Sequence, residues 1–426
     1  MSEMKRIAII GGTIWGNRGA EAMLVTTIGK VRELYPNAAF KIFSYYPKRD
    51  RALIDDPGIE VLDSSPKALV LKHFPFAFAS WFLGLLRLRL PSRLLPRAIR
   101  VLRACDALLD VGGITFSDGR EIFLPFNILT IWPAMLLGVP VVKMAQAVGP
   151  FKNPLNRFLA KRFLGKCTRV FARGSITANH LEELRLPRER WLQVADIAFL
   201  YRDEYSLTSE NSDLVAQLEA EMAALQTLEK NILAVSPSVL LLEKAQEPGR
   251  EYTTRILDII QSTAAKDGQL HFLILPNATR QGTEQTKNND LVAIAQIRKQ
   301  AMKRLTAEVL DRITWVDFDI NTSSVRKLIA CCDVLITSRF HAMVAGLSLL
   351  VPTMVIGWGH KYDEVLAAFN MGRYSFDFDD PLGDAPSLIH ELFMKKVAIR
   401  EELSDKLVEV LSAAERQFMD LERILT

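Results

Sequence analysis

Asp333-Val334-Leu335-Ile336-Thr337-Ser338-Arg339-Phe340-His341-Ala342, then Val351-Pro352-Thr353-Met354-Val355-Ile356 and His360-Lys361, reads as strand, polar elbow, helix, strand and a second, basic elbow. Short β-branched runs ended by polar turns, with helical stretches between them, are the pattern of parallel sheets covered by helices on both faces. Outward from this stretch the pattern recurs. It predicts strands at 6–12, 40–45, 60–62, 107–112, 140–145, 169–172 and 192–195 in the first half, and at 232–236, 271–276, 313–318, 333–337 and 353–356 in the second. The polar, helix-prone stretch 206–230 separates the two series, so we expect two α/β domains, 1–205 and 206–385. From 386 onward, Leu403, Leu407, Val410, Leu411, Ala414, Phe418, Leu421 and Leu425 fit one face of a long helix, expected to pack back across both domains.

Composition bounds the function. The chain has 426 residues, enough for two or three compact units, and 49% apolar with 24% charged residues excludes global disorder. Lys plus Arg number 53 against 49 Asp plus Glu, and a net +4 over this length gives no argument for nucleic acid. Cys105, Cys167, Cys331 and Cys332 lack the spacing of a disulfide framework or a structural zinc, and no metal is expected. The N-terminal apolar run heads straight into a Gly-rich turn, unlike a secretory signal, so a cytoplasmic protein is expected.

Charge is nevertheless uneven. Residues 64–105 contain no acidic residue, and Lys67, Lys72, Arg87, Arg89, Arg93, Arg97, Arg100 and Arg103 give that segment eight positive charges, which leaves the remainder of the chain at −4. Between them Phe74, Phe76, Phe78, Trp81, Phe82, Leu83, Leu85 and Leu86 form an apolar block that is too short, and broken by Pro75, to span a bilayer at about 20 residues, so no transmembrane segment is expected. Such a stretch either lies in the headgroup layer of an anionic membrane or pairs a core helix with a solvated basic one.

In open parallel sheets ligands bind beyond the carboxyl ends of the strands. Five ends carry candidate residues. Gly11 to Glu21 is a glycine-rich turn feeding a helix, with Asn17, Arg18 and Glu21 in it; it is a ligand loop or a tight structural turn. Asp110, ahead of Gly112-Gly113, either faces a ligand or accepts hydrogen bonds from a neighbouring turn. Gln146 and the backbone at Gly149 end another strand. Arg173 follows a fourth, where it meets a ligand or pairs with Asp196. Arg339 and His341, two apart in the elbow after the strand at 333, set a fork-shaped donor beside a titratable imidazole, and Lys361 joins them from the next strand end.

These residues resemble the polysaccharide pyruvyl transferase family, through Gly16-Asn17-Arg18-Gly19-Ala20-Glu21, Asp110 to Gly113, Gln146 to Pro150, Arg173 to Ser175, and Ser338-Arg339-Phe340-His341 with Pro352 and Lys361. The resemblance implies two Rossmann-like domains with parallel sheets facing across a cleft, as in GT-B glycosyltransferases, and phosphoenolpyruvate as co-substrate with no bound cofactor. It implies donor binding by Arg339, Ser338, Lys361, Arg173 and Gly149, and acceptor contacts from Asn17, Arg18 and Gln146. His341 is then the general acid, and Asp110 or Glu21 assists deprotonation of a sugar hydroxyl. Many relatives carry an acidic residue where this chain has Ala20, so any role of that carboxylate is absent here or belongs to Glu21. The acceptor would be a sugar of a cell-surface polysaccharide or its lipid-linked precursor, met at the inner face of a membrane. Two other readings share the architecture: a glycosyltransferase using a nucleotide sugar, with Glu364 on the ribose, and a non-catalytic ligand-binding protein. The enzymatic reading expects the basic side chains of the elbow not to be taken up by partners within their own half.

Overall fold

Val, Ile, Leu and Phe fill the strands almost without alternation, as strands buried on both faces require, and the result is two parallel sheets. The computed structural model describes residues 4–208, 212–244, 251–280, 282–283, 286–357, 361–378 and 385–426; His360 of the second basic elbow lies outside them. The chain divides into two compact units. One comprises Met1–Trp15, Ala20–Thr208 and Leu411–Thr426, the other Gly16–Gly19 and Ser209–Val410.

The first unit holds β1 (Arg6–Ile10), β2 (Ala39–Ser44), β3 (Ile59–Asp63), β4 (Ala107–Asp110), β5 (Ile114–Thr115), β6 (Val141–Val148), β7 (Arg169–Arg173) and β8 (Trp191–Val194). Their order is β3-β2-β1-β4-β6-β7-β8, with the short β5 beside β6. The order reverses between β1 and β4, where Ile10 pairs with Asp110, so the turns after these two strands open at the topological switch point. Ile7, Ile9, Phe40, Leu109, Val142 and Phe171 are fully buried in this sheet.

The second unit repeats the design with β9 (Ile232–Ser236), β10 (His271–Ile274), β11 (Ile313–Trp315), β12 (Val334–Thr337), β13 (Thr353–Gly357) and β14 (Ser375–Asp377). Its order is β11-β10-β9-β12-β13-β14, and its switch point lies between β9 and β12, where Ser236 stands opposite Thr337. Two strands, β5 and β14, are absent from the sequence reading: they are two and three residues long, too short to give a periodic signal.

The C-terminal stretch is two helices, Ala385–Met394 and Lys396–Leu425. The second contributes to both units, which divide after Val410. In the second unit Lys396 Nζ lies 2.8 Å from Asp333 Oδ1; in the first, Glu415 accepts from Lys30 at 2.8 Å and Asp420 takes the Arg169 guanidinium.

Candidate functional site

In the second unit, the elbow after β12 stands at the switch point. Arg339 N donates to Thr337 Oγ1 at 2.9 Å, and Thr337 Oγ1 donates to Ser236 O at 3.2 Å, which locks the turn onto β9. Ser338 N donates to Ser236 O, and Ser338 Oγ accepts the Tyr252 hydroxyl at 2.7 Å while its carbonyl accepts the Tyr362 hydroxyl at 3.1 Å. Burial pushes both phenols up, Tyr362 to about 12, so each stays a protonated donor. Ser338 is therefore fixed from three sides by groups that belong to the fold.

Arg339 departs from the sequence expectation. Its Nε lies 3.0 and 2.9 Å from the two oxygens of Asp290, its Nη2 also donates to Asp290, and its Nη1 donates to Asn288 Oδ1 at 3.0 Å. The guanidinium is engaged at all three nitrogens inside its own unit, whereas the enzymatic reading expected the elbow's basic side chains not to be taken up there. Asp290 is a junction. It opens the helix Asp290–Arg304 and accepts Val239 N at 3.0 Å, Asn277 N at 3.2 Å and Ala278 N at 2.8 Å, tying the turns after β9, β10 and β12 to one buried carboxylate. Among the elbow cations, Arg339 holds the turn.

His341 is the second residue of the helix Phe340–Ser348, whose first turn has no side-chain cap and whose dipole favours an anion. Its ring meets Phe340 edge-on at 5.1 Å. Lys361, at the start of the helix Lys361–Ala368, brings Nζ within 5.6 Å of the same Phe340 ring and 4.9 Å of Tyr362. The half-buried imidazole and the half-exposed ammonium thus share one aromatic neighbour.

The glycine-rich signature joins this group. Gly16–Gly19 belongs to the second unit, where Thr279 N donates to Gly16 O, Arg18 N to Asn277 O and Thr322 Oγ1 to Arg18 O. A Cβ on Gly19 would stand 2.0 Å from His341 Nδ1, so only glycine allows the backbone to lie this close to the imidazole. Asn17 Oδ1 accepts Gly19 N at 3.1 Å and starts the helix Arg18–Leu34 as its cap. Arg18 is buried, with Nη2 3.0 Å from Asp319 Oδ1 and 3.2 Å from Thr279 Oγ1. These bonds hold the loop in which acceptor contacts of Asn17 and Arg18 were expected. Glu21 lies in the first turn of that helix and is buried.

In the first unit, the residues at the switch point satisfy one another. Asp110 accepts Lys143 Nζ at 2.7 Å, Gln146 Nε2 at 2.8 Å and Gly112 N at 3.0 Å. Gln146 Nε2 also donates to Asp110 O, and its Oε1 accepts Thr115 Oγ1 at 2.8 Å. A Cβ on Gly11, at φ +85, would come within 2.7 Å of Asp110 Oδ1, so the first glycine makes room for this carboxylate. Asp110 and Gln146 thus form a buried hydrogen-bonded network, in which Asp110 accepts from the neighbouring turn as the second reading of it expected. Gly149, at φ +82, donates its N–H to Phe116 O and leaves space for His180, whose Nδ1 lies 2.9 Å from Val148 O. Arg173 Nη1 pairs with Asp196 Oδ2 at 2.8 Å, the structural alternative weighed for it.

Four sequence-selected charges therefore carry a buried counter-charge in their own unit: Asp110 with Lys143, Arg173 with Asp196, Arg339 with Asp290 and Arg18 with Asp319. Three of these partners went unnoticed in the sequence. Lys143 had a signal, since a lysine inside an apolar strand must find a carboxylate. Asp290, behind Asn288-Asn289, had a helix-start signal. A further carboxylate, Asp50, gave none: it accepts Ile14 N, Trp15 N, Thr13 Oγ1 and Ser44 Oγ, and burial pushes its carboxyl up from the usual range against those bonds.

The model of the polysaccharide pyruvyl transferases matches residues 17–360, which run from the capping Asn17 through the elbow. The chain belongs to that family. Membership makes it a transferase. It is similar to the amylovoran biosynthesis protein AmsJ of Erwinia amylovora, 21% identical over 383 residues that cover 87% of this chain and 88% of that one. Among solved structures it is similar to the UDP-GlcNAc 2-epimerase of Neisseria meningitidis bound to UDP-GlcNAc, with a TM-score of 0.56, 12% identity and coverage of 99% and 100%. Anabaena Alr3699/HepE in complex with UDP gives a TM-score of 0.55 at 11% identity, covering 98% of this chain and 99% of that one. At these identities the structural likeness speaks for the GT-B-like, two-domain Rossmann fold.

Proposed function

We propose that this transferase moves the enolpyruvyl-derived group of phosphoenolpyruvate onto two hydroxyls of a polysaccharide sugar as a ketal, with His341 and Lys361 as the groups that meet the donor. The observation that carries the reading is the seat of Gly19 against His341: two pieces of the family pattern, far apart in sequence, converge on one imidazole. His341 protonates the methylene carbon, which makes the adjacent carbon oxocarbenium-like and open to the first sugar hydroxyl. Phosphate then leaves with the C–O bond electrons, and the second hydroxyl attacks the same carbon. Of the two hydroxyl protons, one replaces that given up by His341, which acts next as base, and the other departs with phosphate. Lys361 and the N-terminal dipole of the helix Phe340–Ser348 offset the donor's negative charge. Arg339 acts on the reaction through the elbow it holds.

The family membership and the likeness to an amylovoran biosynthesis protein support a polysaccharide acceptor. The solved structures of similar fold, one bound to UDP-GlcNAc and one to UDP, supply the competing donor class. Thermal-shift measurement separates the two. A ligand at about 100 times its Kd adds about 2.7 kcal/mol of stability to the state it binds, so phosphoenolpyruvate should raise Tm and UDP should not. A rise with UDP alone contradicts the reading.

A further inference from the structure

The segment between β3 and β4 carries a surface that the transfer chemistry does not use. Pro66–Leu85 is 20 residues of helix, long and apolar enough by length and composition to cross a bilayer, yet most of it is not buried. Its exposed side chains follow helical spacing: Leu71 (68% exposed), Phe78, Trp81, Phe82 and Leu85 (62%) recur at steps of three, four and seven and form one stripe. Phe78 packs on Trp81 and Phe82 with ring centroids 5.5 and 6.4 Å apart, so the aromatic part of the stripe is preassembled. The opposite face is anchored. Ala68, Leu69, His73 and Ala77 are buried, Ala77 packs with Leu95 and Ile99, and the Phe74 ring lies 4.6 Å from Trp132. A helix fixed to its unit along one face lies on a bilayer and does not cross it.

Charge identifies what covers the stripe. All eight cations of residues 64–105 are exposed, and the segment has no acidic residue. Among the described residues, the ion pair these cations make is Arg97 with Glu60 at 2.8 Å. A second copy of the chain would bring the same positive field against itself, which charge repulsion opposes. An anionic lipid surface complements both features: acyl chains take the aromatic stripe, and headgroups take the arginines.

We propose that Leu71 to Leu94 is a monotopic docking face for an anionic membrane, with Phe78, Trp81, Phe82 and Leu85 entering the headgroup boundary and Arg87, Arg89 and Arg93 contacting lipid phosphate. The proposal goes beyond the reading of the donor and stands without it.

Flotation of the purified full chain tests it. Vesicles of phosphatidylcholine with roughly one-third phosphatidylglycerol should carry the protein at about 0.1 M salt and release most of it at about 1 M, where the screening length falls from about 10 Å to about 3 Å. Pure phosphatidylcholine vesicles should carry far less. Two double variants, Phe82→Glu with Leu85→Glu and Arg89→Glu with Arg93→Glu, should each bind anionic vesicles about tenfold or more weakly at unchanged Tm. Four results overturn the proposal: no binding of the wild type to anionic vesicles, equal binding to neutral ones, retention after an alkaline carbonate wash, which means a spanning helix, or dissociation of a dimer by either variant, which means a second copy covers the face.

Discussion

At the scale of single residues, the site is organised by paired charges. Each buried pair is held because removing one member strands the other in low dielectric, at about 3–5 kcal/mol. Asp290→Ala should lower stability by that amount in denaturant unfolding, since Arg339 and three backbone N–H groups lose their acceptor. In an Arg339→Met background the same change should cost at least about 1 kcal/mol less; equal costs in both backgrounds would show that the pair is not coupled. Gly19→Ala should leave Tm within a few degrees but lower transfer about 100-fold or more, because the new methyl group displaces the imidazole. Wild-type turnover in that variant counts against His341 as the acid. Sequence reasoning reached the first member of each pair because polar residues at strand ends stand out. It missed most partners because the pairing is set by which loops the fold brings together: Arg339 and Asp290 are 49 residues apart.

At the scale of elements, strand positions were legible and the weaker ones were not. The twelve strands read from apolar runs recur within a few residues of their observed bounds, since a buried parallel strand needs an unbroken apolar stretch, whereas β5 and β14 are held by neighbours and not by their own residues. The segment 64–105 was legible in composition, but which face is exposed was not, because anchoring depends on Trp132, Leu136 and Leu137 further along the chain. His73 is buried at that anchor, ring to ring with Phe43 at 5.9 Å, and burial lowers its pKa to about 4. The unfolded chain then binds the proton first as pH falls, so stability is fully present above about 6.5 and decreases between about 6.5 and about 4, by roughly 3 kcal/mol at most. His73→Phe should flatten this part of the stability–pH curve; an unchanged slope contradicts the assignment.

At the scale of the whole molecule, two doubly wound parallel sheets carry the signature residues in the turns beyond their strand ends. Two α/β domains with parallel sheets were expected from the alternation of strands and helices alone. That Gly16–Gly19 belongs with the second unit was not, since nothing in a local pattern shows where a loop leaves one sheet to join another. The most direct measurement is release of inorganic phosphate from phosphoenolpyruvate in the presence of a polysaccharide acceptor, by the wild type and by His341→Ala. The account predicts acceptor-dependent phosphate release in the wild type and its loss in a variant that remains folded. Release undiminished in His341→Ala, or none from phosphoenolpyruvate while a nucleotide sugar is consumed, contradicts it.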